Sequence, residues 1–142
     1  MQLKQVTPKY IVSKFITPSD IVKLVPQGFA KIICNLPDGE IDGSSESKLI
    51  RESAGDYGIA FEYIPVTMTA ITKEVVAQHT RAVRNTNGAV LAYCATGRCS
   101  TVLWAMEFAD KMSADAIISR AQSIGYDLEA MRGKLDARAS EL

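Results

Sequence analysis

The segment that most restricts the fold is Ala89-Val90-Leu91-Ala92-Tyr93, an apolar run of strand length that leads directly into Cys94-Ala95-Thr96-Gly97-Arg98-Cys99-Ser100-Thr101. A short run without polar alternation suits a strand covered on both faces, the position of a central strand in a parallel sheet. Parallel neighbours need crossovers, and the chain supplies them. Val6 to Ile16 reads as one or two short strands, followed by a helix start at Thr17-Pro18-Ser19-Asp20 that carries Ile21, Leu24 and Val25 inward as far as Pro26-Gln27-Gly28. Phe29 to Leu36 is the next strand, closed by the turn chemistry of Pro37-Asp38-Gly39-Glu40. A polar stretch from Ile41 to Ser47 precedes a helix over 46–54, and Ile59 to Val66 forms a further strand. Thr72 caps a helix whose inward face holds Val75, Val76, His79, Ala82 and Val83. After the Cys94 loop come a helix over 100–111, one capped by Ser113 and ending near Gly125, and a last one opened by Asp127. This order predicts an α/β fold with a mainly parallel central sheet and helices on both faces.

No repeat, low-complexity tract or long linker divides the chain, so residues 1–142 read as one domain. Sixteen basic residues balance sixteen acidic ones. Without a global field or a charge block, nucleic acid and anionic membranes are not expected partners. No stretch approaches the roughly 18 apolar residues of a membrane span, and the first residues lack the pattern of a secretory signal. Three cysteines without CxxC spacing argue against a disulfide framework and a structural metal. The expectation is free thiols in a reducing cytoplasm, with no metal and no cofactor.

In parallel sheets, ligands bind beyond the carboxyl ends of the strands, which is where Cys94 stands. A strand, a small-residue loop and a helix N-terminus make an anion cradle, because consecutive amides and the helix dipole converge on one point. That field also favours a thiolate. Ala95, Thr96, Gly97, Arg98, Cys99, Ser100 and Thr101 are the candidate anion-binding residues. Gly97 permits the turn, Arg98 offers a fork of donors, and Ser100 or Thr101 can donate to the sulfur or cap the helix. On pattern alone Cys94 is either a reactive thiol or an inert buried one. His79, the single histidine, would need to stand beside Cys94 to form a Cys–His pair, and its mid-helix position reads as structural or solvated.

Four stretches in order, Ile32-Ile33-Cys34-Asn35-Leu36-Pro37-Asp38-Gly39-Glu40, Tyr63-Ile64-Pro65-Val66, the Cys94 loop with Ser100-Thr101-Val102-Leu103-Trp104-Ala105, and Ile124-Gly125-Tyr126-Asp127-Leu128, carry a resemblance. The chain resembles the phosphatase-like domain of beta-lactamase-hydrolase-like proteins, a bacterial branch related to the dual-specificity tyrosine phosphatases. The resemblance implies that fold, Cys94 as nucleophile and a small anionic or phosphorylated substrate. It implies a phosphatase-like hydrolase acting on a phosphoester. Because the family is also assigned as a sulfurtransferase, a Cys94 persulfide carrier is the alternative, and a non-catalytic anion-binding module is a third reading. Tyrosine phosphatases carry an arginine where Ser100 stands, and this family usually has one at the place of Cys99 and another at that of Leu36. Related phosphatases also place an aspartate after the strand matching Tyr63 to Val66, where this chain has Thr67-Met68-Thr69-Ala70. Asp38 or Glu40 could supply the missing acid, or Pro37 to Glu40 is a tight turn only. Relatives that protect the nucleophile through a disulfide imply Cys34 or Cys99 as redox partners of Cys94.

Overall fold

A computed structural model describes residues 2–41 and 46–140. Its strands are β1 (Lys4–Gln5), β2 (Tyr10–Ser13), β3 (Lys31–Cys34), β4 (Ala60–Tyr63) and β5 (Val90–Tyr93). Its helices are α1 (Pro18–Leu24), α2 (Ser47–Asp56), α3 (Lys73–Arg84), α4 (Arg98–Phe108), α5 (Ala114–Ser123) and α6 (Arg132–Ser140). The sheet runs β1-β2-β5-β3-β4, with only β1 antiparallel to its neighbour. The expected mainly parallel sheet with flanking helices is therefore the fold, and β5 is its centre.

Alternation along the strands separates two cores. Val12, Ile33, Val90 and Ala92 pack with Val102, Ala105 and Ile117 on the face covered by α3 to α6. Ile11, Ile32, Leu91 and Tyr93 pack with Ile21, Leu24 and Ile50 on the face covered by α1 and α2. Cover on both faces explains why every side chain of β5 is buried.

The helix starts follow from their caps. The Asp20 carboxylate accepts the Thr17 N–H at 2.9 Å, Thr72 Oγ1 accepts from Val75 at 3.2 Å, and Ser113 Oγ accepts from Ala116 at 3.1 Å. Two expectations need correction. Val25 is 37% exposed, because α1 gives way at Leu24 to a 3-10 turn over Val25–Gln27 that swings it outward. Helix α4 opens at Arg98 rather than Ser100, since Gly97, at φ 91°, makes the turn into it. Of the polar stretch from Ile41 to Ser47, residues 42–45 lie outside the described residues.

The register sets the site. Ser13 and Cys34 both stand opposite Tyr93, so three adjacent parallel strands end at one level. Cys94 follows at that edge, beside Asn35, whose N–H donates to the Tyr93 carbonyl at 2.8 Å.

Candidate active site

Cys94 is 3% exposed and lies at the base of a cavity of about 210 Å3 lined by Asn35, Pro37, Glu40, Met68 and Cys99, among others. With Gly97 as N-cap of α4, the amides of the first turn have no helical partners and face the loop. The Gly97 N–H donates to Cys94 Sγ at 3.0 Å. The thiol of Cys99 and the amides of Ser100 and Thr96 also donate to this sulfur; together they outweigh burial and bring the Cys94 pKa down to about 5. Cys99 is pushed the other way, chiefly because its proton is held in the bond to Cys94. One thiolate carrying a thiol donor is the state this geometry stabilises.

The other loop residues divide. Ala95, Thr96 and Cys99 line the cavity with Cys94, and Ser100 is fully buried behind it. Thr101 turns back instead, its amide and hydroxyl both bonded to the Gly97 carbonyl at 3.1 and 2.8 Å. Arg98 also departs from the expected cradle. Its amide donates to Thr96 Oγ1 at 3.3 Å and its guanidinium to the Asp127 carbonyl at 2.6 Å. As the first residue of α4 it projects around the outside of the helix, toward the chain that follows α5.

Asp38, expected as a general acid, has both carboxylate oxygens on Ser47, taking its N–H at 2.7 Å and its hydroxyl at 2.8 Å. The backbone bond from Ser47 holds Asp38 below the usual carboxylate range. It thus works as an N-terminal cap of α2, and it does not line the cavity. Glu40, from the same turn, does. Cys34 is fully buried; its thiol donates to the Leu36 carbonyl at 3.3 Å, and burial raises its pKa to about 11. Among the described residues no cluster of His, Cys, Asp or Glu could hold a metal, and no helix is long and apolar enough to cross a membrane.

His79 is where sequence reasoning fell shortest. It is 1% exposed, with Nε2 2.8 Å from the Tyr10 hydroxyl and Nδ1 3.3 Å from Asn35 Nδ2. Tyr10 in turn donates to the Ser100 carbonyl at 2.7 Å. The available signals were a lone polar residue on the apolar face of α3 and another, Asn35, directly after a buried strand.

A mainly parallel sheet with a cysteine loop between its central strand and the following helix has the fold of a phosphatase-like domain. Residues 2–111 match the family model of the beta-lactamase hydrolase-like protein, phosphatase-like domain; the chain belongs to this family. A beta-lactamase hydrolase-like protein of Xylella fastidiosa strain Temecula1 is 26% identical over 130 residues, which is 90% of this chain and 30% of the relative. The chain thus spans under a third of the curated relatives it matches. A crystal structure of a candidate phosphatase from Neisseria meningitidis Z2491 superimposes with a TM-score of 0.88 at 31% identity, covering 97% of this chain and 99% of that one. Pseudomonas aeruginosa TpbA in complex with phosphotyrosine has a TM-score of 0.67 at 15% identity, over 98% of this chain and 88% of that one, and shares the fold.

Proposed function

We propose that the chain is a cysteine-dependent, phosphatase-like hydrolase in which the Cys94 thiolate attacks a small phosphoester. The observation that carries this is the Cys94 sulfur at the base of a cavity, receiving donors from Gly97, Thr96, Ser100 and Cys99. A thiolate so held is ionised near neutral pH and faces outward into a space of ligand size. Displacement at phosphorus would form a Cys94–phosphate intermediate while the alcohol departs, and water would then release phosphate and restore the thiolate. The loop amides that now hold the sulfur would turn to the phosphoryl oxygens as charge moves onto them. That a fold neighbour is captured with phosphotyrosine supports a phosphorylated substrate. Glu40, the acidic side chain at the cavity wall, takes the place proposed from sequence for Asp38, giving a proton to the leaving oxygen from its protonated form.

One observation favours a second reading. Among the described residues, no arginine, lysine or histidine lines the cavity, while Glu40 does. A dianionic phosphate would lean on amides alone beside a carboxylate. Sulfur transfer through a Cys94 persulfide needs neither an arginine nor a placed acid, and thiosulfate carries its charge on a group the same amides can hold. The deciding experiment gives wild type and Cys94→Ser an aryl phosphate and, separately, thiosulfate with cyanide as acceptor. Cys94-dependent phosphate release supports the hydrolase, and Cys94-dependent thiocyanate the transferase. Phosphate binding without either product would leave an anion-binding module.

A further inference from the structure

Behind the loop lies a closed polar network that joins Ser100 and the cavity-lining Asn35 to Tyr10 and His79, two residues the chemistry above does not use. Tyr10, Asn35, His79 and Ser100 are 3, 0, 1 and 0% exposed and come from β2, the end of β3, α3 and α4. Their protons have one consistent arrangement. The single Tyr10 hydroxyl proton goes to the Ser100 carbonyl at 2.7 Å. His79 must then donate from Nε2 to the Tyr10 oxygen, 2.8 Å away, which leaves Nδ1 bare to accept from Asn35 Nδ2 at 3.3 Å. The second Asn35 amide proton goes to the Ile64 carbonyl at 2.9 Å. Asn35 Oδ1 accepts the Ser100 hydroxyl at 2.8 Å. Each polar atom of the four side chains has a partner, and the imidazole is neutral, burial having lowered its pKa to about 4.

Ser100 is the residue this network grips. Tyr10 holds its carbonyl and Asn35 its hydroxyl, while its own N–H donates to the Cys94 sulfur. Four buried polar side chains cost desolvation that apolar residues of similar volume would avoid. Their convergence on one residue of the thiolate loop gives that cost a use. We infer that Tyr10 and Asn35, joined through His79, are positioning residues that hold the Ser100 amide on Cys94 and so keep the nucleophile ionised. The inference rests on the reading of Cys94 as a thiolate nucleophile. It adds the part of the protein that sets its reactivity, a network of whose four side chains only Asn35 lines the substrate cavity.

The test is the pH dependence of Cys94 alkylation by iodoacetamide, read peptide by peptide in intact folded protein, so that no substrate need be known. In Tyr10→Phe, which keeps the ring and removes one hydroxyl, the alkylation midpoint should rise by about one pH unit, the size of one lost buried hydrogen bond. Ser100→Ala, which cuts only the Asn35 tether, should raise it by less. His79→Gln, whose amide can donate toward Tyr10 and accept from Asn35, should lie close to wild type. Ile117→Val, a core change on α5, controls for lost stability and should melt lower with the midpoint in place. If Tyr10→Phe and Ser100→Ala both keep the wild-type midpoint, the positioning role is overturned while the thiolate reading stands. If wild-type Cys94 itself titrates like an ordinary thiol, both fall.

Discussion

At Cys94 two opposed effects meet: burial, which disfavours the thiolate, and four donors, which favour it. The donors win because they are fixed in place by the turn at Gly97 and the first turn of α4 rather than recruited from solvent. With its pKa near 5, alkylation of Cys94 should be pH-independent from about pH 6 upward and fall tenfold per unit well below pH 5. A rate that keeps climbing through pH 8 would contradict the thiolate. The two carboxylates of the 37–40 turn should also separate. Asp38→Ala removes the cap bond to the Ser47 N–H on α2 and should cost about 1 kcal/mol of stability, with kcat on an aryl phosphate unchanged. Glu40→Gln should spare a substrate with a good leaving group but lower kcat about 100-fold for an alkyl phosphate, where the departing oxygen needs a proton. Equal losses on both substrates would remove Glu40 from that role.

The loop and the start of α4 act as one element. Gly97 sits at φ 91°, and a Cβ there would run into the Tyr126 hydroxyl, which itself donates to the Thr96 carbonyl at 2.8 Å. Gly97→Ala should therefore lose roughly 1–2 kcal/mol from backbone strain alone, and more from the collision, measurable as a lower urea midpoint. Adding Tyr126→Phe should recover part of the second loss and none of the first. Oxidation tests the same element. With a hydroperoxide, Cys94 would become a sulfenic acid and release an alcohol or water; attack by the Cys99 thiol would then form the disulfide and release water. The expected product has lost two hydrogens and links Cys94 to Cys99, because Cys34 is buried with its proton on Leu36. A Cys34–Cys94 link would contradict this.

The strands, the helix start within Thr17-Pro18-Ser19-Asp20, the caps at Thr72 and Ser113 and the position of Cys94 were legible because local pattern determines them. The direction of Arg98 was not, since its partner is the Asp127 carbonyl 29 residues on. Nor was His79, whose partners lie 69 and 44 residues away. A sequence displays periodicity, but which two polar groups meet across a core depends on strand order.

Because the thiolate and the neutral imidazole both belong to the folded core, the whole molecule should respond to acid in a way that can be traced to two residues. Folding lowers the pKa of His79 from 6.5 to about 4. Between those values the unfolded chain binds a proton that the folded one does not, so stability rises with pH across that window and is lost as pH falls through it. Cys94, lowered from 9.0 to about 5, acts in the same sense over a window that overlaps from about pH 5 to 6.5. There the difference approaches two protons, a slope of about 2 kcal/mol per pH unit. Glu107 opposes them, since burial raises its carboxyl pKa, but it contributes equally to wild type and to variants elsewhere. The single histidine makes the assignment clean. Urea unfolding at a series of pH values between 5 and 6.5 should show His79→Gln losing about 1 kcal/mol per pH unit of slope. Cys94→Ser should lose about as much, and the double variant should keep the opposing trend from Glu107, whatever each substitution does to the absolute stability. A His79→Gln protein that kept the full slope would mean that the imidazole is protonated in the fold. The proton arrangement that ties Tyr10, His79 and Asn35 to Ser100 would then be wrong.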